Sequence, residues 1–398
     1  MKMAFSYLTN VPLEKAKNDY IELLVSCGFG PESETVSVQS ACGRVTAKAV
    51  YAAICAPHYA ASAMDGIAIK AKDSFGATDT TPVTLDAGQF TVVDTGDQIP
   101  AGCDAVIMVE ELVHDPDGSV TVHAPAAPWQ HIRQIGEDIC AGEMILPSYT
   151  RITPSAVGAL IAGGVLELEV FRKPRVAIIP TGDEIVAPCA DPKPGDILEF
   201  NSSIFSSMLS QWGAQPVVYP IIPDDHEKIK AAVSRAADEC DMVVLNAGSS
   251  AGREDFSAGV IGELGQVLYH GIAIKPGKPA ILGRCGAKPV LGVPGYPVSG
   301  MIVMEELLKP LVDIFTGASA EKKRYVDAVL TRPVVSGLKY REFVRVRMGY
   351  VGDKLTASPL SRGSGVVSSF MKADGIMEIP QEVEGFERGD RVSCLLYT

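Results

Sequence analysis

The residues of this 398-residue chain best suited to chemistry are small or acidic and stand at turns. Positions 246–256 read NAGSSAGREDF and follow directly on the apolar run DMVVL. A buried strand thus empties into a loop whose hydrogen-bonding capacity is mostly its own backbone. Gly248, Ser249, Ser250 and Gly252 leave room for a ligand to come close to that backbone, and successive N–H groups of such a loop suit an anion. Asp255 would repel an anion unless a cation or the polar hydrogens of the ligand came between them. Three further stretches share this character: PTGDE (180–184) with Glu184, IPDD (222–225) with Asp224 and Asp225, and VPGYPVS (293–299) with Pro294, Pro297 and Ser299. Lys275 and Lys278, in IKPGKP, are natural countercharges. Plainer readings exist for each. Asp224 and Glu227 have capping-box spacing, Asp183 and Glu184 suit a solvated turn, and the Gly/Ser loop lacks the GK[ST] ending of a phosphate-binding P-loop.

The elements that must position these loops follow from periodicity. From residue 174 onward short apolar runs alternate with helical patterns: RVAIIP, QPVVYPII, DMVVLNAG and KPVLGVPG are each followed by a helix-forming stretch. Ile229, Ala232, Val233, Ala236, Ala237 and Cys240 recur at three-to-four-residue spacing and make one apolar helix face. This pattern predicts a doubly wound parallel α/β domain over 174–318. In an open parallel sheet ligands bind beyond the carboxyl ends of the strands, which collects all four loops on one rim. Residues 45–141 read as an inserted β-rich domain, and 1–44 with 142–173 as a helical N-terminal and linker domain, with Thr153 and Pro154 suited to the start of a helix. Strand patterning returns over 319–398, predicting a C-terminal β-barrel-like domain. The whole is an α/β multidomain chain.

Bulk composition excludes several function classes. The formal charge is −13, which argues against nucleic acid or an anionic membrane as partner. The longest uncharged stretch, PVLGVPGYPVSGMIVM (289–304), is interrupted by prolines and glycines and is too short to span a bilayer. Nine cysteines, an odd and scattered set with no C-x-x-C pair, read as reduced thiols of a cytoplasmic protein rather than a disulfide framework or a structural zinc site.

In order along the chain stand SAMDG (62–66), DTG-x-x-IP-x-GCDAV (94–106), GEDI (136–139), PTGDE (180–184), GSSAGREDF (248–256), IKPGKP (274–279), VPGYPVSG (293–300) and GSGVVSS (363–369). Together they resemble one family, the molybdopterin molybdenumtransferases of the MoeA and gephyrin E-domain group. The resemblance runs through all four inferred segments. The chain departs from residues common in the family at Ile67, Ala247, Ser249 and Tyr296, while the carboxylates and lysines of the motifs are kept.

The resemblance implies a MoaB/MogA-like α/β domain and insertion of molybdate, or tungstate, into adenylylated molybdopterin with release of AMP in a Mg²⁺-dependent reaction. It further implies a homodimer, with contact to other cofactor-biosynthesis proteins as a partner class it allows. On that reading the 248–252 backbone, Asp255, Lys275, Lys278, Pro294, Pro297 and Ser299 hold the pterin. Asp65, Thr95, Asp138, Glu184, Asp224 and Asp225 serve the chemistry, with Glu184 and Asp224 toward the metal ion. Arg345, Arg362, Ser364 and Ser368 fall on the nucleotide or phosphate side. The competing expectation is a non-catalytic pterin-binding or scaffold protein of the same fold; a more distant one is another phosphoryl- or nucleotidyl-transfer enzyme.

Overall fold

The computed structural model describes residues 10–247, 256–319 and 323–397. The chain divides into two compact units, one of residues 34–170 and one of 1–33 with 171–398.

In the larger unit helix α1 (Leu13–Ser26) precedes strand β1 (Arg175–Pro180), followed by α2 (Asn201–Gln211), β2 (Gln215–Val218), α3 (His226–Glu239) and β3 (Met242–Ala247). Then come α4 (Ser257–Leu264), β4 (Gln266–His270), β5 (Ile281–Cys285), β6 (Lys288–Pro294), α5 (Pro297–Val303), a π-helical turn at Met304–Leu308, and α6 (Lys309–Thr316). The six strands form one sheet in the order β2-β1-β3-β6-β5-β4. The first four are parallel; β5 pairs antiparallel with β6, and β4 pairs antiparallel with β5. The antiparallel edge is an addition to the all-parallel sheet expected. A tight turn at Gly286 (φ +60°) sends β5 back along β6 instead of through a helical crossover.

Alternation along the strands sends one set of side chains to each face of the sheet. Val176, Ile178, Met242, Val244, Leu291 and Val293 pack with α1, α2, α5 and α6, while Ala177, Ile179, Val243, Leu245 and Val290 pack with α3 and α4. Leu13, Ala16, Tyr20 and Leu24 of α1 belong to the first of these cores. The N-terminal helix therefore joins the α/β unit, not the 142–173 segment with which its pattern had grouped it. An amphipathic stripe declares that a helix will be buried but not against what.

Beyond α6 the same unit continues with β7 (Tyr325–Leu330), β8 (Arg341–Val351), β9 (Lys354–Pro359), β10 (Gly375–Ile379) and β11 (Arg391–Leu396). The neighbour order β8-β9-β7-β11-β10 closes through β8–β10 pairing into a five-strand barrel. Its interior holds Ala328, Leu330, Val344, Val346, Ala357, Met377, Ile379, Val392 and Cys394.

In the smaller unit two three-stranded antiparallel sheets enclose one core. Gly66–Ile69 lies between Phe90–Val93 and Ala105–Met108, and Val120–Val122 between Val83–Leu85 and Leu112–His114. Ile67, Ile69, Leu85, Ile107, Val120 and Val122 fill the space between them. Helix Pro154–Ala162 begins as its sequence predicts, with the Thr153 side chain accepting a hydrogen bond from the Ala156 N–H at 3.2 Å.

Candidate active site

At the carboxyl ends of β1, β3 and β6 a cleft of about 1260 Å³ opens within the larger unit. Its walls come from the β1 loop (Thr181, Glu184), the β6–α5 loop (Pro294, Tyr296, Pro297, Ser299), the 274–279 segment and the barrel residues Glu342, Arg345, Arg362 and Ser364. A volume of this size, mostly apolar with a few convergent polar groups, is that of a cofactor or large-ligand site. Among the described residues four cations face it, Lys275, Lys278, Arg345 and Arg362, and they come from both the α/β part and the barrel.

The two parts meet where Ile274–Lys275 pairs in parallel with Arg341–Glu342 of β8, which sets Lys275 beside Glu342. Gly277 makes the turn that follows possible: its φ is +112°, and a Cβ there would stand 2.8 Å from Ile274 Cδ1. Lys278 lies with its Nζ 5.5 Å from the centre of the Tyr340 ring. Glu342, almost wholly buried, is the centre of the charged wall. Its Oε1 accepts from Arg362 Nε at 2.8 Å and also from Arg362 Nη2, its Oε2 accepts from the Ser336 hydroxyl at 2.7 Å, and Lys275 Nζ is 3.8 Å away. A buried carboxylate is tolerated only when paired in this way.

Arg345 is 2% exposed yet lines the cleft. Nε donates to Ser369 Oγ at 3.1 Å and Nη2 to the Ser361 carbonyl at 2.6 Å, so the guanidinium ties down the 361–369 loop. Burial pushes its pKa below the usual guanidinium value. Ser364 is held by its carbonyl, which accepts the Val298 N–H at 3.1 Å. At the floor, Asn246 donates from Nδ2 to the carbonyls of Val293 and Pro294 (3.2 and 3.1 Å) and accepts from Asn201 Nδ2 at 3.0 Å. The Oδ1 of Asn201 is buried with no protein partner in the described residues.

Of the acids expected on this side, Glu184 lines the cleft and is exposed. Asp224 and Asp225 lie outside its lining. Asp225 caps α3, accepting the Lys228 N–H at 3.0 Å, and the Asp224 N–H donates to Asp183 Oδ1 at 3.2 Å. Capping thus falls to Asp225, one residue after the position that the 224/227 spacing suggests. Ser368 is also outside the lining, and it is its neighbour Ser369 that touches Arg345. Gly248, Ser249, Ser250, Gly252 and Asp255 lie outside the described residues.

In the smaller unit Asp65 and Thr95 come together. Asp65 Oδ1 accepts both the Thr95 N–H at 2.6 Å and the Thr95 hydroxyl at 2.8 Å. The Thr95 N–H, with the hydroxyl beside it, holds the carboxyl below its ordinary pKa. Gly66 is required here by close approach, since a Cβ would fall 2.0 Å from the Ile107 carbonyl oxygen. Asp138 sits on an exposed turn, its N–H donating to the Ala56 carbonyl at 3.1 Å.

Sequence reasoning did not single out Glu342, Asn246, Asn201 or Ser369. For Glu342 a signal was there: EFVRV (342–346) sets Glu342 and Arg345 among the apolar residues of a strand, where an isolated charge is not tolerated.

Three family models cover most of the chain. They are the MoeA N-terminal region (domain I and II) over residues 11–164, the "Probable molybdopterin binding domain" over 177–313, and the MoeA C-terminal region (domain IV) over 327–397. The chain belongs to the MoeA family. Similar relatives include a molybdopterin molybdenumtransferase of Haemophilus influenzae, 28% identical over 96% of this chain and 97% of that protein. Molybdopterin molybdenumtransferase 2 of Mycobacterium tuberculosis is 30% identical over 88% of this chain and 91% of that protein. Among solved structures, a molybdopterin biosynthesis MoeA protein from Pyrococcus horikosii has a TM-score of 0.80 at 34% identity and covers 98% of this chain and 99% of that one. The MoeA fold agrees with the mixed α/β multidomain architecture, its β-rich portion and its closed barrel.

Proposed function

We propose that this MoeA-family transferase works in molybdenum cofactor biosynthesis, inserting molybdate into adenylylated molybdopterin with release of AMP. The observation that carries the reading is the convergence of Lys275, Lys278, Arg345 and Arg362 on one cleft at the carboxyl ends of parallel strands, in a chain of net charge −13. A tetrahedral dianion and a ligand bearing phosphates need such a basic pocket inside an acidic body. Lys275 and Lys278 supply mobile point charges, whereas Arg345 is held rigid by Ser361 and Ser369 and so offers a preorganised donor. Pro294 and Pro297 stiffen the wall that Ser299 shares, which lowers the entropy cost of ordering a ligand there. Asp255, the 248–252 backbone and Ser364 complete the pterin and phosphate contacts in this reading.

Mg²⁺ fits the donor set in a limited way. It commonly takes one or two carboxylates and keeps its remaining positions for water and substrate phosphate. Glu184 is the exposed acid at the cleft suited to that; Asp224, outside the cleft lining, is the second acid the proposal assigns to the ion. No group of three or more His, Cys, Asp or Glu among the described residues is placed to hold a metal ion. Bound there, the ion would neutralise phosphate charge. Asp65, set in its ionised form by Thr95, and Asp138 are the acids of the smaller unit that serve the reaction, and a homodimer in the cytoplasm is its setting. No helix among the described residues is long and apolar enough to cross a membrane.

The test supplies purified protein with adenylylated molybdopterin, Mg²⁺, and molybdate or tungstate in parallel, and follows AMP release together with metal retained on the pterin. Oxyanion-dependent AMP release is expected, with the preferred oxyanion identifying the metal. Tight pterin binding without AMP release under either oxyanion would overturn the reading in favour of a non-catalytic binding protein.

A further inference from the structure

The turn that carries Asp138 is held between two cysteines. Ala56 and Ile139 form an antiparallel bridge in which each N–H donates to the other's carbonyl, at 2.8 and 3.1 Å. One step outward on each strand stand Cys55 and Cys140. Next to such a doubly bonded pair the opposed residues occupy a non-hydrogen-bonded position, where Cα atoms approach to about 4.5 Å and side chains come closest. That separation falls within the span a disulfide requires.

Side-chain placement agrees with the register. Gly136, at φ +73°, leaves open a spot where a Cβ would lie 3.1 Å from Cys140 Sγ and 3.5 Å from Cys55 Sγ, so both sulfurs converge on one point. The Cys140 thiol donates to the Gly136 carbonyl at 3.3 Å, and the Ala141 N–H donates to Cys55 Sγ at 3.3 Å. Both cysteines are free, Cys140 is exposed and Cys55 half-buried, so an oxidant can reach the pair. Neither the cleft chemistry nor the motifs of the family use them.

We propose that Cys55 and Cys140 form an oxidant-sensitive dithiol that closes to a disulfide across the Gly136–Cys140 turn. With a peroxide as oxidant, the first thiol attacks the O–O bond to give a sulfenic acid and one water. The second sulfur then displaces the sulfenic oxygen, forming the S–S bond and a second water; two thiols are oxidised by two electrons and one peroxide is reduced. The closed form ties the Cys140 end of the turn bearing Asp138 to Cys55 on the facing segment and returns to the dithiol with a thiol reductant.

The experiment uses the full-length reduced protein, treated with hydrogen peroxide, alkylated and mapped by mass spectrometry without reduction. The peptide containing Cys55 is expected linked to the peptide containing Cys140, with the loss of two hydrogens, and Cys55→Ser or Cys140→Ser each abolishes the link. In the unsubstituted protein, one equivalent of phenylarsine oxide, which bridges neighbouring thiols, is expected to shield these two from alkylation while Cys42 and Cys189 stay reactive. Oxidation of either sulfur singly to a sulfinic acid with no link, or a link to another cysteine, would overturn the proposal, as would failure of the arsenical to protect the pair. None of these readouts depends on the proposed transferase activity.

Discussion

Replacing Glu342 by Ala removes the centre of the charged wall, and the cost can be worked from its partners. The carboxylate is 3% exposed, but Arg362 and Lys275 are 36% and 54% exposed, so both cations recover water when their partner goes. The full cost of stranding a buried charge, about 3–5 kcal/mol, therefore does not apply. The buried Ser336 hydroxyl loses its acceptor, about 1–2 kcal/mol, and the Arg362 bonds, discounted for solvent, contribute about 1–2 more. The expected destabilisation is about 2–4 kcal/mol, or a fall in Tm of roughly 4–12 °C at about 2–3 °C per kcal/mol for a unit of this size. Glu342→Gln keeps an acceptor for Arg362 and is expected to lose about half as much. Thermal unfolding followed by circular dichroism, at fixed pH and salt, reads both variants. A Glu342→Ala protein melting within about 1 °C of the parent would refute the claim that this carboxylate organises the wall.

Further outcomes test individual residues. Lys275→Ala and Lys278→Ala are each expected to weaken binding of adenylylated molybdopterin by roughly tenfold, equivalent to about 1.4 kcal/mol, in a calorimetric titration; unchanged affinity would remove the anion-pocket assignment. Glu184→Ala should lower turnover by about 10² to 10³ with folding intact, read as AMP release, and full turnover would take it out of the mechanism. Asp225→Ala is expected to cost about 1 kcal/mol through loss of the α3 cap while keeping turnover; a hundredfold loss of turnover in a folded variant would return Asp225 to the chemistry. Thr95→Val removes one of the two donors to Asp65, so the Asp65 titration should move upward. Because the depressed pKa keeps Asp65 ionised as pH falls toward the ordinary carboxylate range, any stability it lends is present above that range and is lost on acidification through the folded-state pKa. Carboxyl NMR titration of the two proteins compares the values, and identical titrations would contradict the assigned hydrogen bonds.

Much of the architecture was legible because it rests on local patterns. Apolar runs such as RVAIIP and MVVL are buried on both faces, and buried parallel strands must read that way. Thr153 and Pro154 mark a helix start with chemistry contained in a few residues. The antiparallel strands β4 and β5 were harder to see, since QVLYH and ILGRC carry no sign of which edge they will pair with. The reassignment of α1 has the same origin.

The candidate site divides along the same line. The sequence by itself determined which loops follow the parallel strands, that Lys275 and Lys278 flank a glycine turn, and that the motif series belongs to one family, because those facts depend on types and spacing along the chain. Only the tertiary structure decided that Arg345 and Arg362 face the same cleft as Lys275, that buried Glu342 neutralises part of their charge, that Asp225 caps a helix, and that Thr95 binds Asp65. Each of these is a pairing between residues distant in sequence or a choice between adjacent ones. Electrostatic and hydrogen-bonding energies fall off over a few ångströms, so partners are chosen by folded distance, which no spacing in the chain records.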